Sequence, residues 1–291
     1  MAKVRDTKKR INTVSKTRKI TRTMEMVSTS KLKRWQTLVL ASRPYSEALK
    51  EVLLQLSSSP VALSHPLMEQ RKEIRRAAVL FITSNRGLCG AFNNIICKKA
   101  HQLRDDYSRK GAEIELFAVG KKGISYFRHL GIPLAYTDIS IADKFSSEQC
   151  CELTRLLSDA FLTHRVDRVE VVYVNFISAG SQRLVSEQLF PLSVPAGPER
   201  EIRETDFIFE PDPEEIVNTL LPLFAQSTIY RMIAENTASE QAARRKAMKQ
   251  ATDNAEDMIT YLTRRLNRER QYQITKELSE IVGGSEAIKA G

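Results

Sequence analysis

Sixty consecutive residues, Leu223 to Val282, contain neither glycine nor proline. Pro222 stands before this run and Gly283-Gly284 follow it, and a glycine pair there predicts a helix stop. At about 1.5 Å per residue, one continuous helix would be roughly 90 Å long. No single small core can bury that length. Met248, Ala251, Ala255, Met258 and Leu262 recur at alternating spacings of three and four, and Leu266, Ile274, Leu278 and Ile281 extend the stripe. Such a narrow seam is the pattern of a helix wound on a partner. Ala238, Ala242, Ala243, Ala247, Ala251 and Ala255 keep part of it slim enough for close approach of a second helix. A long surface helix on an ordinary domain is the plainer reading, but helices beyond about 25 residues usually belong to coiled coils or repeats.

A second long helix is predicted over residues 3–58. Ile11, Val14, Ile20, Met24 and Val27 give a rough stripe, and Leu38, Ala41, Tyr45, Leu49, Val52 and Leu56 a regular one. Pro44 lies inside it, at a bend or an accommodated kink. Ser57-Ser58-Ser59-Pro60 reads as its end.

Charge is concentrated in this helix. Residues 1–34 hold twelve Lys and Arg against Asp6 and Glu25, which is the whole of the chain's net charge of +10. A block of this kind needs an anionic partner or a solvated face. A basic, Ser/Thr-rich start is also the composition of a transit peptide, but the helical pattern continues well past any cleavage site. No apolar run reaches the roughly 18 residues of a transmembrane helix, and no secretory signal is expected. Cys89, Cys97, Cys150 and Cys151 show no metal-ligand spacing, and a reduced cytoplasmic setting suits them.

Between the helices the pattern changes. Ala77–Thr83 is a continuous apolar run, Glu113–Val119 a second strand, and Val169–Ile177 the strongest of all. A weak strand near Leu134–Ile139 and a return strand over Leu184–Leu192 complete the set. Helices are expected from Phe92 to Ser108, up to Leu130, and from Ser146 to Leu162. Strands alternating with helices predict an α/β domain on a largely parallel sheet. Pro195 to Pro198 and Pro211 to Pro213 read as linkers, and Asp212-Pro213-Glu214-Glu215 as a helix start. The fold class is therefore α/β plus a long antiparallel two-helix coiled coil. The coil is formed by an N-terminal helix (1–60) and a C-terminal helix (212–284), with a Rossmann-like α/β domain (74–205) inserted between them.

No constellation for catalysis is found. The segment Thr83 to Asn93 sits between a strand and a helix, where a phosphate loop would lie. It is neither G-x-G-x-x-G nor a P-loop, so its glycines read as a tight turn. Gly120-Lys121-Lys122-Gly123 is equally weak. His65, His101, His129 and His164 are scattered, and no cofactor or metal is expected.

Ile20-Thr21-Arg22-Thr23-Met24-Glu25-Met26-Val27-Ser28-Thr29-Ser30-Lys31-Leu32, followed by Ser42-Arg43-Pro44-Tyr45, resembles the N-terminal helix of the gamma subunit of F-type ATP synthases. Arg86-Gly87-Leu88-Cys89-Gly90 is similar to that family's central turn. Ser239 to Arg244, Met248 to Ala255, Arg270-Gln271, Ile274-Thr275 and Glu277 to Val282 are similar to its C-terminal helix. The match is collinear over nearly the whole chain. It departs at Asn85, where the family usually has Asp, at Ala91, and at Tyr272, Gln273 and Lys276. The resemblance implies a non-catalytic central rotor shaft that couples ion flow to ATP synthesis or hydrolysis. Implied partners are three alpha and three beta subunits, epsilon and the membrane c-ring, with no nucleic acid and no direct membrane insertion. The implied place is peripheral, on the cytoplasmic face of a bacterial inner membrane. Partner contacts are implied at Met24, Met26, Lys31, Arg244, Gln271, Thr275 and Glu277. Two other classes compete on residues alone: a basic coiled coil that binds nucleic acid, and an enzyme built on the α/β domain.

Overall fold

A central mixed sheet lies between helical N- and C-terminal elements. The computed structural model describes residues 2–56, 64–142, 145–193 and 213–290. Helix α1 is Ala2–Leu56, and α5 is Pro213–Ala290. Between them come β1 (Arg76–Ile82), α2 (Phe92–Arg109), β2 (Glu113–Val119), α3 (Lys121–His129), β3 (Tyr136–Asp138), α4 (Ser147–Leu162), β4 (Arg168–Phe176) and β5 (Gln182–Phe190). The expected ends at Ser57 to Pro60 and the linker at Pro195 to Pro198 lie outside the described residues. Contacts divide the chain into two units, Met1–Ser28 with Arg244–Gly291, and Thr29–Ala243.

In the larger unit the strand order is β3-β2-β1-β4-β5. The first four strands are parallel, and β5 returns antiparallel on β4. Because successive side chains point to opposite faces, the sheet builds two cores. Leu80, Ile82, Phe117, Val171 and Tyr173 pack on Leu153, Leu157 and Phe161 of α4 and on Leu221, Ile229 and Ile233 of α5. Val79, Phe81, Leu116, Val172 and Val174 pack on Phe92, Ile96, Ile124 and Phe127 of α2 and α3. Every residue of β1 after Arg76 is buried, as a central strand covered on both faces requires.

Polar side chains fix the edges of these layers. Ser146 and Gln149 form a capping box at the start of α4. Arg71 donates to the carbonyls of Val166 and Phe161 and to Asp167 Oδ1, at 2.7–2.8 Å, and its guanidinium lies over the Phe161 ring. Asp167 Oδ2 accepts the backbone N–H groups of Arg75 and Arg76, each at 2.9 Å. Trp35 of α1 stacks on Phe145 at 5.1 Å, and Phe145 meets Tyr230 of α5 edge-on.

The smaller unit is a helix pair. Thr7 donates to Glu269, Arg18 pairs with Glu256, and Thr252 donates to Thr21 at 2.8 Å. Numbers rise on one helix as they fall on the other, so the pair is antiparallel.

The inward faces differ from the apolar stripes expected of them. On α1, Thr7, Thr21 and Ser28 are buried, while Ile20 and Val27 are 61 % and 50 % exposed. On α5 the inner set is Met248, Thr252, Ala255 and Leu262, while Met258 is 51 % exposed. Ile274, Leu278 and Ile281 are exposed as well. Within the larger unit, α1 buries Leu32, Val39 and Leu53, whereas Ala41, Tyr45 and Val52 face outward. The reason is common to all three. Thr7, Thr21 and Thr252 take inner positions because their hydroxyls are satisfied there, by a backbone carbonyl of the same helix or by the opposite helix. The one hydroxyl proton of Thr252 is shared between Thr21 and Met248 O, Ser42 donates to Val39 O, and Ser46 bonds Ser227 across the helices. An apolar-only reading therefore rotates the stripe.

The expected stop at Gly283-Gly284 is also corrected, because α5 runs on to Ala290. Glycine in a helix costs only about 1 kcal/mol relative to alanine, and Ser285 to Ala290 offer no breaker. Pro222 likewise lies inside α5 instead of before it.

Candidate partner-binding surfaces

The turn after β1 uses its polar atoms on itself. Thr83 Oγ1 donates to Val119 O and accepts the Gly123 N–H, at 3.0 and 2.9 Å. Asn93 Oδ1 accepts the Ser84 N–H, and Asn93 Nδ2 donates to Ser84 Oγ and Cys89 Sγ. Gly120 has φ 97°, and a Cβ there would stand 2.0 Å from Thr83 O, so glycine is obligatory. Leu88 is held at φ 63° with its side chain exposed. These side chains build a rigid turn, and none of the bonds just described is aimed at a ligand. The Cys97 thiol of α2 is inert, as is that of Cys150 on the other face of the sheet: burial pushes both up to about 12.

The residues expected to contact partners fall into different environments. Met26, Lys31, Gln271, Thr275 and Glu277 are exposed, Met24 is half-buried, and Arg244 is 8 % exposed. Thr275 donates to Gln271 O, and Glu277 accepts from Gln273. From Gln271 to Val282 every residue except half-buried Gln273 is exposed. Tyr272, Ile274, Leu278, Ile281 and Val282 stand among them. A helix that presents large apolar side chains to solvent on all sides marks an interaction surface. The sequence reading placed the Ile274, Leu278 and Ile281 stripe against a second helix, and this is the correction that matters most for function.

Sequence reasoning missed the opposite extreme. Met232 to Ala242 of α5 are buried without exception, although the segment includes Glu235, Asn236, Thr237, Ser239, Glu240 and Gln241. Ala234, Ala238 and Ala242 meet Leu32 and Val39 of α1 and Phe176 of β4. Asn236 Oδ1 accepts the backbone N–H of Val174 at 3.0 Å. Just before it, Arg231 donates to Glu187 at 3.0 Å and to Tyr173 Oη at 3.3 Å, and pairs with Glu235 at 3.4 Å. Tyr173 in turn donates to Glu187 at 2.7 Å. Burial pushes the Tyr173 phenol up, so it stays a neutral donor. Burial would lower Arg231, but Tyr173, Glu187 and Glu235 together raise it. The one signal in the sequence was a polar run inside an alanine-spaced helix.

The family model described as ATP synthase matches residues 3–288. The ATP synthase gamma chain of Leptospira biflexa is 41 % identical over 288 residues, covering 99 % of this chain and all of that one. That of Gemmatimonas aurantiaca is 41 % identical over 289 residues with the same coverage. Among solved structures, a chain of the Euglena gracilis mitochondrial ATP synthase (OSCP/F1/c-ring) aligns with a TM-score of 0.69 at 19 % identity, covering 100 % of this chain and 96 % of that one. A chain of the central stalk/c-ring structure of the Tetrahymena thermophila enzyme aligns with a TM-score of 0.62 at 23 % identity, covering 80 % and 99 %. Matched from near its first residue to near its last, with sheet and terminal helices of the same fold, the chain belongs to the ATP synthase gamma chain family.

Proposed function

We propose that this chain is the central rotor shaft of an F-type ATP synthase. The observation that carries the reading is the end-to-end match to gamma chains at 41 % identity. Residues 1–60 and 212–284 supply a two-stranded coiled coil, and residues 74–205 a Rossmann-like foot. The shaft stands among three alpha and three beta subunits, and the foot engages epsilon and the c-ring. The chain itself does no chemistry. Turning an asymmetric shaft changes which conformer each catalytic site favours, and a partner can shift such an equilibrium only through unequal contacts with its states. The exposed apolar end of α5 and the basic face of α1 are suited to make those contacts. The complex would lie at the cytoplasmic face of a bacterial inner membrane, held there through its partners. A nucleic-acid-binding role finds no support among the relatives, which are gamma chains.

The test is reconstitution. Membrane vesicles carrying the complex assembled with this chain should take up ions on ATP addition, and complexes assembled without it should not. ATP-driven uptake of equal extent in both would overturn the reading.

A further inference from the structure

We infer that Asn236, with Arg231 behind it, is the positioning residue that locks α5 in register on the sheet, so that turning the helix turns the foot. The inference rests on the rotor reading above. Torque between α5 and the sheet has to cross the packed surface between them. Apolar contact resists separation but is non-directional. Part of it is also repetitive: Ala234, Ala238 and Ala242 recur every four residues against Phe176 of β4 and Leu32 and Val39 of α1. A slip of α5 by one turn, about 5.4 Å, would put alanine where alanine had been at two of these three positions. Packed helices are known to move in such one-turn steps.

The polar side chains remove that degeneracy. Slip in one direction puts Met232 in the place of Asn236 and Ser227 in the place of Arg231. The buried Val174 N–H then faces a thioether, and Glu187 and Tyr173 lose their guanidinium. Slip in the other direction brings the acceptor Glu240 to the place of Asn236, but it also puts Glu235 in the place of Arg231, against Glu187, one carboxylate against another. Only the observed register gives Val174 an acceptor and Glu187 a cation at the same time. Buried polar groups that fix register are the best attested use of such groups. β1 pairs with β4 only as far as Phe81↔Val172, so the Asn236 bond grips β4 two residues beyond that pairing.

The experiment uses the ATP synthase complex assembled with the full chain, in membrane vesicles, and reads ATP hydrolysis and ATP-driven ion uptake together. Asn236→Asp keeps an acceptor for the Val174 N–H, and Asn236→Leu keeps the volume without it. Asp should hold uptake per ATP near the unsubstituted value. Leu should lower it roughly five-fold or more while hydrolysis persists, the size of change that loss of one buried hydrogen bond can bring to an equilibrium. Full uptake per ATP in the Leu chain, or equal loss in both, overturns the inference. Amide exchange on the isolated full chain is independent of assembly. Val174 should exchange about ten-fold faster in the Leu chain and not in the Asp chain, and equal exchange in all three chains overturns it as well. Failure of the unsubstituted chain to support any uptake would instead refute the rotor reading.

Discussion

Asn85 joins two loops: its Nδ2 donates to the carbonyl of Ile139 at 2.7 Å, and its Oδ1 accepts the N–H of Lys121 at 2.9 Å. One side chain thus serves as donor on one side and acceptor on the other, which only a carboxamide of this length can do. Asp in its place could keep the Lys121 bond but would turn an oxygen towards Ile139 O. Asn85→Asp should therefore destabilise this chain by about 1 kcal/mol. Urea denaturation at neutral pH checks it, and equal midpoints for the two chains would show that the Ile139 contact contributes nothing.

Acid should loosen the corner held by Asp167. Burial alone would raise this carboxyl, but Arg71 and the backbone N–H groups of Arg76 and Arg75 together hold it below its ordinary value. A carboxylate depressed in the folded state contributes stability that is full above its unfolded pKa of about 3.9 and fades as pH falls through the lower folded value. The unsubstituted chain should thus lose stability below about pH 4 more steeply than Asp167→Asn. At neutral pH, Asp167→Ala should cost about 3 kcal/mol, because the largely buried guanidinium of Arg71 loses its ion-pair partner. Denaturant midpoints measured across the acid range give both comparisons.

The Thr21–Thr252 pair should be replaceable as a pair. Each hydroxyl also has a carbonyl of its own helix as partner, Arg18 O for Thr21 and Met248 O for Thr252. Replacing both by valine removes two polar groups together and leaves no orphan, so the double variant should lie within about 1 kcal/mol of the parent. A double-mutant cycle on thermal unfolding measures the coupling, expected near 0.5–1 kcal/mol. A coupling near zero would mean that the cross-helix bond does not hold the pair.

The basic face of α1 should act collectively. Lys8, Lys9, Arg10, Lys31, Lys33 and Arg34 are all exposed. Exposed ion pairs contribute only about 0–1 kcal/mol each. One neutralisation, such as Arg10→Gln, should therefore leave ATP-driven ion uptake per ATP nearly unchanged. Neutralising all six should lower it with helicity by circular dichroism intact. Full uptake in the sixfold variant would make this a solvated face only.

The middle of the sheet is readable because β1 and β4 are buried on both faces. Glu113–Val119 was bounded correctly from its apolar run alone, and Phe92 was recognised as the start of α2. The terminal helices were readable as helices but not in azimuth. A rule that counts only apolar residues cannot see that Thr7, Thr21 and Thr252 face inward, since their burial depends on hydroxyl partners that the fold supplies. The same blindness hid Asn236, whose partner is a backbone amide 62 residues away. The expectation of partner contacts at Met26, Gln271, Thr275 and Glu277, all exposed, comes from resemblance, and periodicity alone buries their apolar neighbours Ile274 and Leu278.

The stacking of Trp35 on Phe145 has a practical side. Trp35 is the chain's single tryptophan, so all indole fluorescence originates at one point, where α1 meets the loop before α4. Emission will register the parting of those two rings. It will be silent to fraying at Thr7 and Glu269, which the far-ultraviolet signal of the helices does record. Two optical signals from one unlabelled sample thus follow different parts of the molecule, and any gap between their melting curves is a direct reading of how independently those parts come undone.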